Sequence, residues 1–99
     1  MRILLDQNVP VGIQSIIFTW RPEAEIRLAY EMGWARLRNG ELLTRAEENG
    51  FDLLLTADQN MAYQQNMAGR KIRLVVLWTN RWAELREAPE RVVAAISRE

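Results

Sequence analysis

Two stretches of the chain end alike. "RILLDQN" runs an aliphatic segment into Asp6-Gln7-Asn8, and "LLLTADQN" runs another into Asp58-Gln59-Asn60. With Glu41, which stands between them, these acids are the side chains best suited to chemistry. The 99 residues include no histidine and no cysteine. Ser-His-Asp and Cys-His catalysis, thiolate nucleophiles, disulfides and an ordinary zinc site are thereby excluded. Carboxylates remain, and they favour hard, oxygen-seeking ions such as Mg²⁺ or Mn²⁺. Three carboxylates drawn together repel one another unless a cation relieves them. With one or two divalent ions they could activate water and stabilise in-line displacement at a phosphodiester. The competing expectation is structural: Asp, Asn and Glu cap helices and complement the positive end of the helix dipole, and Asn8 could cap in place of Asp6.

The neighbours of these acids fit a nucleic-acid substrate. Twelve arginines accompany a single lysine, Lys71, so phosphate would be gripped by planar guanidinium forks. Arg36 and Arg38 precede Glu41, and Arg81 follows the last strand candidate. Thirteen basic residues balance thirteen acidic ones, so no global positive field draws in nucleic acid and any such contact is local. Trp34 and Trp82 fall in loops, where an indole stacks on an unpaired base or, as the bland alternative, completes the core. Asn8 and Asn60 are the amides placed to touch a ligand, whereas Gln59, Gln64, Gln65 and Asn66 read as solvated helix positions. Trp20 and Trp78 are assigned to packing. Four tryptophans in so short a chain leave room for a protein interface, either a homodimer or an antitoxin-like partner.

The elements that must position these groups alternate. "RILL" (2–5), "EIRLA" (25–29), "DLLLT" (52–56) and "IRLVVLW" (72–78) read as strands. Helices are expected from Asn8 or Val9 through "VGIQSIIF", from an Asn39 cap through "ELLTRAEEN" to Gly50, over 59–68 up to Gly69, and from Pro89 through "ERVVAAISRE". "YEMGWARLRNG" reads as irregular and "TNRW" as a turn. The alternation predicts one α/β domain over residues 1–99, a three-layer α/β/α fold with a short parallel sheet in the order 2-1-3-4. In that order the first and third strands are neighbours whose helices leave to opposite sides, and their carboxyl ends frame a ligand crevice. Asp6 and Asp58 are both expected there, with Glu41 leaning over the same edge. No segment has the ~20 apolar residues of a membrane span, and the start of the chain lacks a signal-peptide pattern. The expectation is a cytoplasmic protein that contacts no membrane.

"MRILLDQNVP", "MGWARLRNGELLTRAEENGFDLLLTADQN" and "VVLWTNRW" together resemble the small stand-alone PIN-like domains, relatives of PIN ribonucleases and of VapC-type toxins. The resemblance spans nearly the whole chain, through its Asp-x-Asn-x-Pro start and its Thr-x-Asp element. It implies a parallel α/β fold, an acidic pocket for Mg²⁺ or Mn²⁺ and hydrolysis of RNA, often within a toxin–antitoxin pair. By position Asp6 matches the first acid of the family, Glu41 a helix acid and Asp58 the acid after the third strand. The sequence departs from that pattern in one place. Where related chains carry a Ser-Asp-Glu-Glu type segment, this one has Arg38-Asn39-Gly40-Glu41, so an amide replaces an acid. The expected function is a metal-dependent ribonuclease, with a catalytically silent interaction module as the alternative. A receiver-like phosphoacceptor is a weaker alternative, because no second acid adjoins Asp6 and no lysine follows Lys71.

Overall fold

The computed structural model describes residues 1–97. Along the chain lie β1 (Arg2–Leu5), α1 (Ile13–Trp20), β2 (Glu25–Leu28), α2 (Asn39–Glu48), β3 (Leu53–Thr56), α3 (Met61–Gln64), β4 (Arg73–Val76), α4 (Trp82–Leu85) and α5 (Pro89–Ser97). The strands form one sheet in the order β2-β1-β3-β4, with every pair parallel. This is the expected three-layer α/β/α architecture.

A parallel sheet must be covered on both faces, which is why its central strands are unbroken aliphatic runs. Registration puts Leu4, Leu54 and Leu74 in one row and Leu5, Leu55 and Val75 in the next. Because side chains alternate along a strand, the two rows face opposite ways. Leu5, Leu55 and Val75 pack with Ile13 and Ile17 of α1, Leu85 of α4 and Val92 and Ile96 of α5. Leu4, Leu54 and Leu74 pack with Leu42, Leu43 and Ala46 of α2, Met61 of α3, and Trp34 and Phe51. So α1 leaves β1 on one face and α3 leaves β3 on the other, and the switch point lies between these two central strands.

Several boundaries differ from the sequence reading. Helix α1 starts at Ile13 rather than near Asn8, because residues 6–12 fold into consecutive turns closed by Val9 N–H to Asp6 C=O and Ile13 N–H to Pro10 C=O. The third helix ends at Gln64 rather than running to 68. Gln65 is extended, and the Asn66 side chain accepts the Ala68 N–H, a local bond that competes with helix. Trp82, the last residue of the expected "TNRW" turn, is instead the first residue of α4, a helix absent from the sequence reading. Its Leu85 is fully buried, so the burial of one side chain holds a turn of helix that propensity alone does not announce. The last two residues of the expected final helix lie outside the described residues.

The turn before α1 contains a close approach. Gly12 has ordinary helical backbone angles, φ −59 and ψ −20, so glycine is not required there by conformation. Space requires it: a Cβ would lie 2.7 Å from two ring atoms of Trp82. Gly12→Ala is expected to destabilise the fold by about 1–3 kcal/mol through overpacking, although alanine at helical angles would otherwise stabilise by up to about 1 kcal/mol. Urea titration reads the sign directly. A variant as stable as the parent would show that the indole moves aside at no cost.

Candidate functional site

At the carboxyl end of β3 a single buried hydroxyl ties the two acidic triplets together. Thr56 is fully buried, and its Oγ1 donates to Asp6 Oδ2 at 2.8 Å. The same oxygen accepts the Asp58 backbone N–H at 3.1 Å and the Asn8 amide at 3.3 Å. Asn8 in turn accepts the Ala57 N–H through Oδ1 at 2.9 Å. The loop after β1 and the loop after β3 are thus laced to each other by side chains 48–50 residues apart in sequence. Asp6 is 9% exposed, and its Oδ1 accepts the Gln7 N–H. Asp6 and Thr56 are the two buried polar residues among the described residues, and no buried side-chain nitrogen or oxygen of the described residues lacks a partner. A charged group kept this far from water stays in place only when hydrogen bonds replace its solvation.

Asp58 is half-buried and held from two sides. Its Oδ1 accepts the Asn60 N–H at 3.0 Å, the local bond that turns the chain into α3. Its Oδ2 accepts from Asn39 Nδ2 at 3.3 Å. Asn39 therefore does not cap α2 as expected. The cap position is Arg38, without a side-chain cap bond, and Asn39, as the first helical residue, turns its amide to the acid. Asn39 thus faces Asp58 and offers it an N–H. Gln59, read from the sequence as solvated, bridges instead to the carbonyl of Leu77 beyond β4 and to that of Ala57.

Glu41 lies in the first turn of α2, as expected, but exposed. It lines an open pocket of about 580 Å³ with Arg38, Asn39, Gly40, Gln64 and Gln65. Asn39 joins this pocket to Asp58. Gly40 allows the close packing at its floor, since a Cβ there would sit 3.2 Å from Gln65 Oε1. Among the described residues, the side chains of Arg38, Glu41, Gln64 and Gln65 make no hydrogen bond or ion pair that would occupy them. Arg36 is exposed. Arg81 is largely exposed and 3.9 Å from Glu84, a distance and exposure that leave it weakly held.

The tryptophans expected at the rim are placed elsewhere. Trp34 is buried in the core and meets Phe51 edge to face at 6.2 Å between ring centroids, so it does not stack on a ligand. Trp82 is half-buried over Gly12. Trp20 and Trp78 pack partly on the core, as expected, and carry Arg21 and Arg91 over their rings. Thr56 is the residue that the sequence reading missed. Its signal was a hydroxyl closing an otherwise aliphatic strand directly before the second acid.

Among the described residues, no group of three or more acidic, histidine or cysteine side chains is placed to hold a metal ion. What the fold assembles is a pair of aspartates bridged through Thr56, with Glu41 in the adjoining pocket. Mg²⁺ usually retains several waters and is held by one or two carboxylates. Each of the four carboxylate oxygens of Asp6 and Asp58 already accepts one hydrogen bond, which leaves each a further lone pair for water or a hydrated ion. No helix among the described residues is long and apolar enough to cross a membrane. The fold is a small parallel α/β domain whose two central strands lead into the loops that carry Asp6 and Asp58, with Asp6 on a pocket shared with Leu28 and Tyr30 and Glu41 on a separate one. No family model matches the chain, and neither a curated protein nor a solved structure does.

Proposed function

We propose that this protein is a divalent-metal-dependent ribonuclease of the PIN-like kind, with Asp6 and Asp58 at its centre. The observation that carries the reading is the Thr56 hydroxyl bond to Asp6, which also receives the Asp58 N–H, at the switch point of a parallel sheet. Two acidic loops are tied together there by one buried hydroxyl. Mg²⁺ or Mn²⁺ held by Asp6 and Asp58 would supply an activated water and neutralise charge developing on the phosphate. Thr56 and the Gln7 N–H keep the Asp6 carboxylate from rotating. Asn39 and the Asn60 N–H do the same for Asp58. Arg38, Gln64 and Gln65, unengaged beside the site, are the groups that would take an RNA phosphate or base edge, with Arg36 available at the surface. Glu41 would orient water or substrate from the pocket wall. The setting that the resemblance implies is the toxin half of a toxin–antitoxin pair.

A second reading, a silent interaction module, is favoured by the Asn39 amide on Asp58, which meets part of the need for a cation. Incubation of a mixed RNA pool with Mn²⁺ separates the two. Cleavage is expected from the parent and is expected to disappear in Asp6→Asn and in Asp58→Asn. Asparagine keeps one of the two acceptor oxygens used at each position, and circular dichroism alongside the assay separates loss of activity from loss of fold. A fully active Asp58→Asn protein would remove that residue from the mechanism, and a parent that cleaves nothing would favour the silent module.

A further inference from the structure

The pocket that contains Asp6 lies where β1 and β2 end side by side, with Leu5 and Leu28 in register. Because β1 stands between β2 and β3, this hollow is on the side of Asp6 away from Asp58. Its volume is about 330 Å³, near the lower end of the range for small-molecule sites. Val9 and Leu28 give it an apolar wall, and Val11 and Tyr30, 64% and 77% exposed, form its rim. The Tyr30 ring is open to solvent on backbone that is well held. Ala29, directly before it, donates its N–H to Leu5 C=O at 2.9 Å, and Tyr30 C=O accepts the Gly33 N–H at 3.1 Å. Neither the Tyr30 hydroxyl nor the Gln7 side-chain amide, also on the hollow, forms a hydrogen bond among the described residues.

The hollow takes its charge from Asp6, whose oxygens each keep a lone pair after accepting from Thr56 and the Gln7 N–H. Its occupant must therefore be flat, largely apolar and a hydrogen-bond donor at one edge. A small cation would answer to Asp6 and leave the apolar wall and the Tyr30 ring unused. The geometry points to an unpaired nucleobase that bears an exocyclic amine, such as cytosine or adenine, stacked on Tyr30 with its amine donating to Asp6 and its neighbouring polar atoms met by the Gln7 amide. Unpaired bases are held in this way, on an aromatic ring and by their pairing edges, and acidic side chains accept from the cytosine amine. Uracil presents a carbonyl oxygen in place of that amine, and a carboxylate repels it. A duplex is refused, because its pairing edges are already taken. The inference rests on the ribonuclease reading for the strand to which the base belongs: with Asp6 common to both, the hollow selects the nucleotide beside the bond that is cut.

Titration of the isotope-labelled protein with cytidine and with uridine, followed by amide NMR shifts, tests it. Neither nucleoside carries a phosphate, so neither a metal nor cleavage enters the measurement. Cytidine is expected to move the resonances of Gln7, Leu28 and Tyr30, and uridine to bind about tenfold more weakly, the discrimination of one good base-edge contact. Tyr30→Ser removes the ring and is expected to weaken cytidine binding about fivefold or more, whereas Tyr30→Phe keeps the stacking face and restores it. Tyr30 is exposed, so both variants keep the fold. Equal affinities for the two nucleosides overturn the proposal, as do a Tyr30→Ser protein that binds cytidine like the parent and a response confined to residues away from the hollow. A partner protein's cationic side chain as the true occupant would give those results. RNA cleavage is read separately. A parent that binds cytidine in the hollow and cuts no RNA upholds the hollow and fails the ribonuclease reading, and one that cuts RNA yet binds neither nucleoside does the reverse.

Discussion

Thr56→Val is expected to destabilise the protein by about 2–3 kcal/mol, since a buried carboxylate loses a charge-assisted bond and the half-buried Asp58 N–H loses its acceptor. For a domain of this size that corresponds to a fall of roughly 10–20 °C in melting temperature. Valine keeps the β-branched shape that suits the end of β3, so the loss isolates the hydroxyl. Three partners lose it together: Asp6 Oδ2, the Asp58 N–H and the Asn8 amide. RNA cleavage and any stabilisation by Mn²⁺ should be lost as well, because the two loops are no longer held against each other. Thr56→Ser restores the hydroxyl and is expected to recover most of both. Differential scanning calorimetry of the three proteins, with and without Mn²⁺, provides the comparison. A valine variant that melts with the parent would mean that the hydroxyl contributes nothing.

Asn39→Asp is expected to have opposite effects with and without metal. Asn39 Nδ2 stands 3.3 Å from Asp58 Oδ2. In the variant a donor becomes a second negative charge at that distance. Repulsion of about 1 kcal/mol in water-like surroundings then replaces a hydrogen bond of similar worth, so the metal-free protein should lose about 2 kcal/mol. A divalent ion reverses this. A further carboxylate ~4 Å from such an ion gains roughly 2 kcal/mol even at water-like dielectric, which is more than tenfold in affinity. Mn²⁺ titration by calorimetry is therefore expected to show tighter binding to Asn39→Asp than to the parent, and cleavage should rise with it. Equal affinities would show that an acid at position 39 cannot share an ion with Asp58, and would shift the balance toward the silent module.

Both predictions depend on polar contacts that only the folded chain reveals, whereas much of the framework around them is visible in the residues alone. The central strands could be read because a parallel sheet buried on both faces leaves an unmistakable trace, the aliphatic runs ending at Leu5 and Leu55. Their order followed from the chirality and brevity of βαβ connections. Helix extents were less legible. The start of α1 was displaced to Ile13 because the Asn8 side chain is engaged by Thr56 and Ala57, and α3 was cut short by an Asn66 turn. Each of these is a choice between two local hydrogen bonds of similar strength, and a small tertiary term decides it.

Taken alone, the sequence narrowed the chemistry available to this protein: with no histidine or cysteine, imidazole and thiol chemistry are removed, and the α/β pattern puts Asp6 and Asp58 directly after its two central strands. Tertiary structure decided which of those groups meet. Pairing of β1 with β3 placed the Thr56 hydroxyl between two loops about 50 residues apart in the chain, turned Asn39 toward Asp58, set Glu41 in the neighbouring pocket, and drew Trp34 into the core and Trp82 onto Gly12. The physical reason is that strand and helix patterns are written in residues a few positions apart, with periods of 2 and 3.6. The partner of a polar side chain is chosen by packing across the whole domain, where a fraction of an ångström separates a bond from a clash.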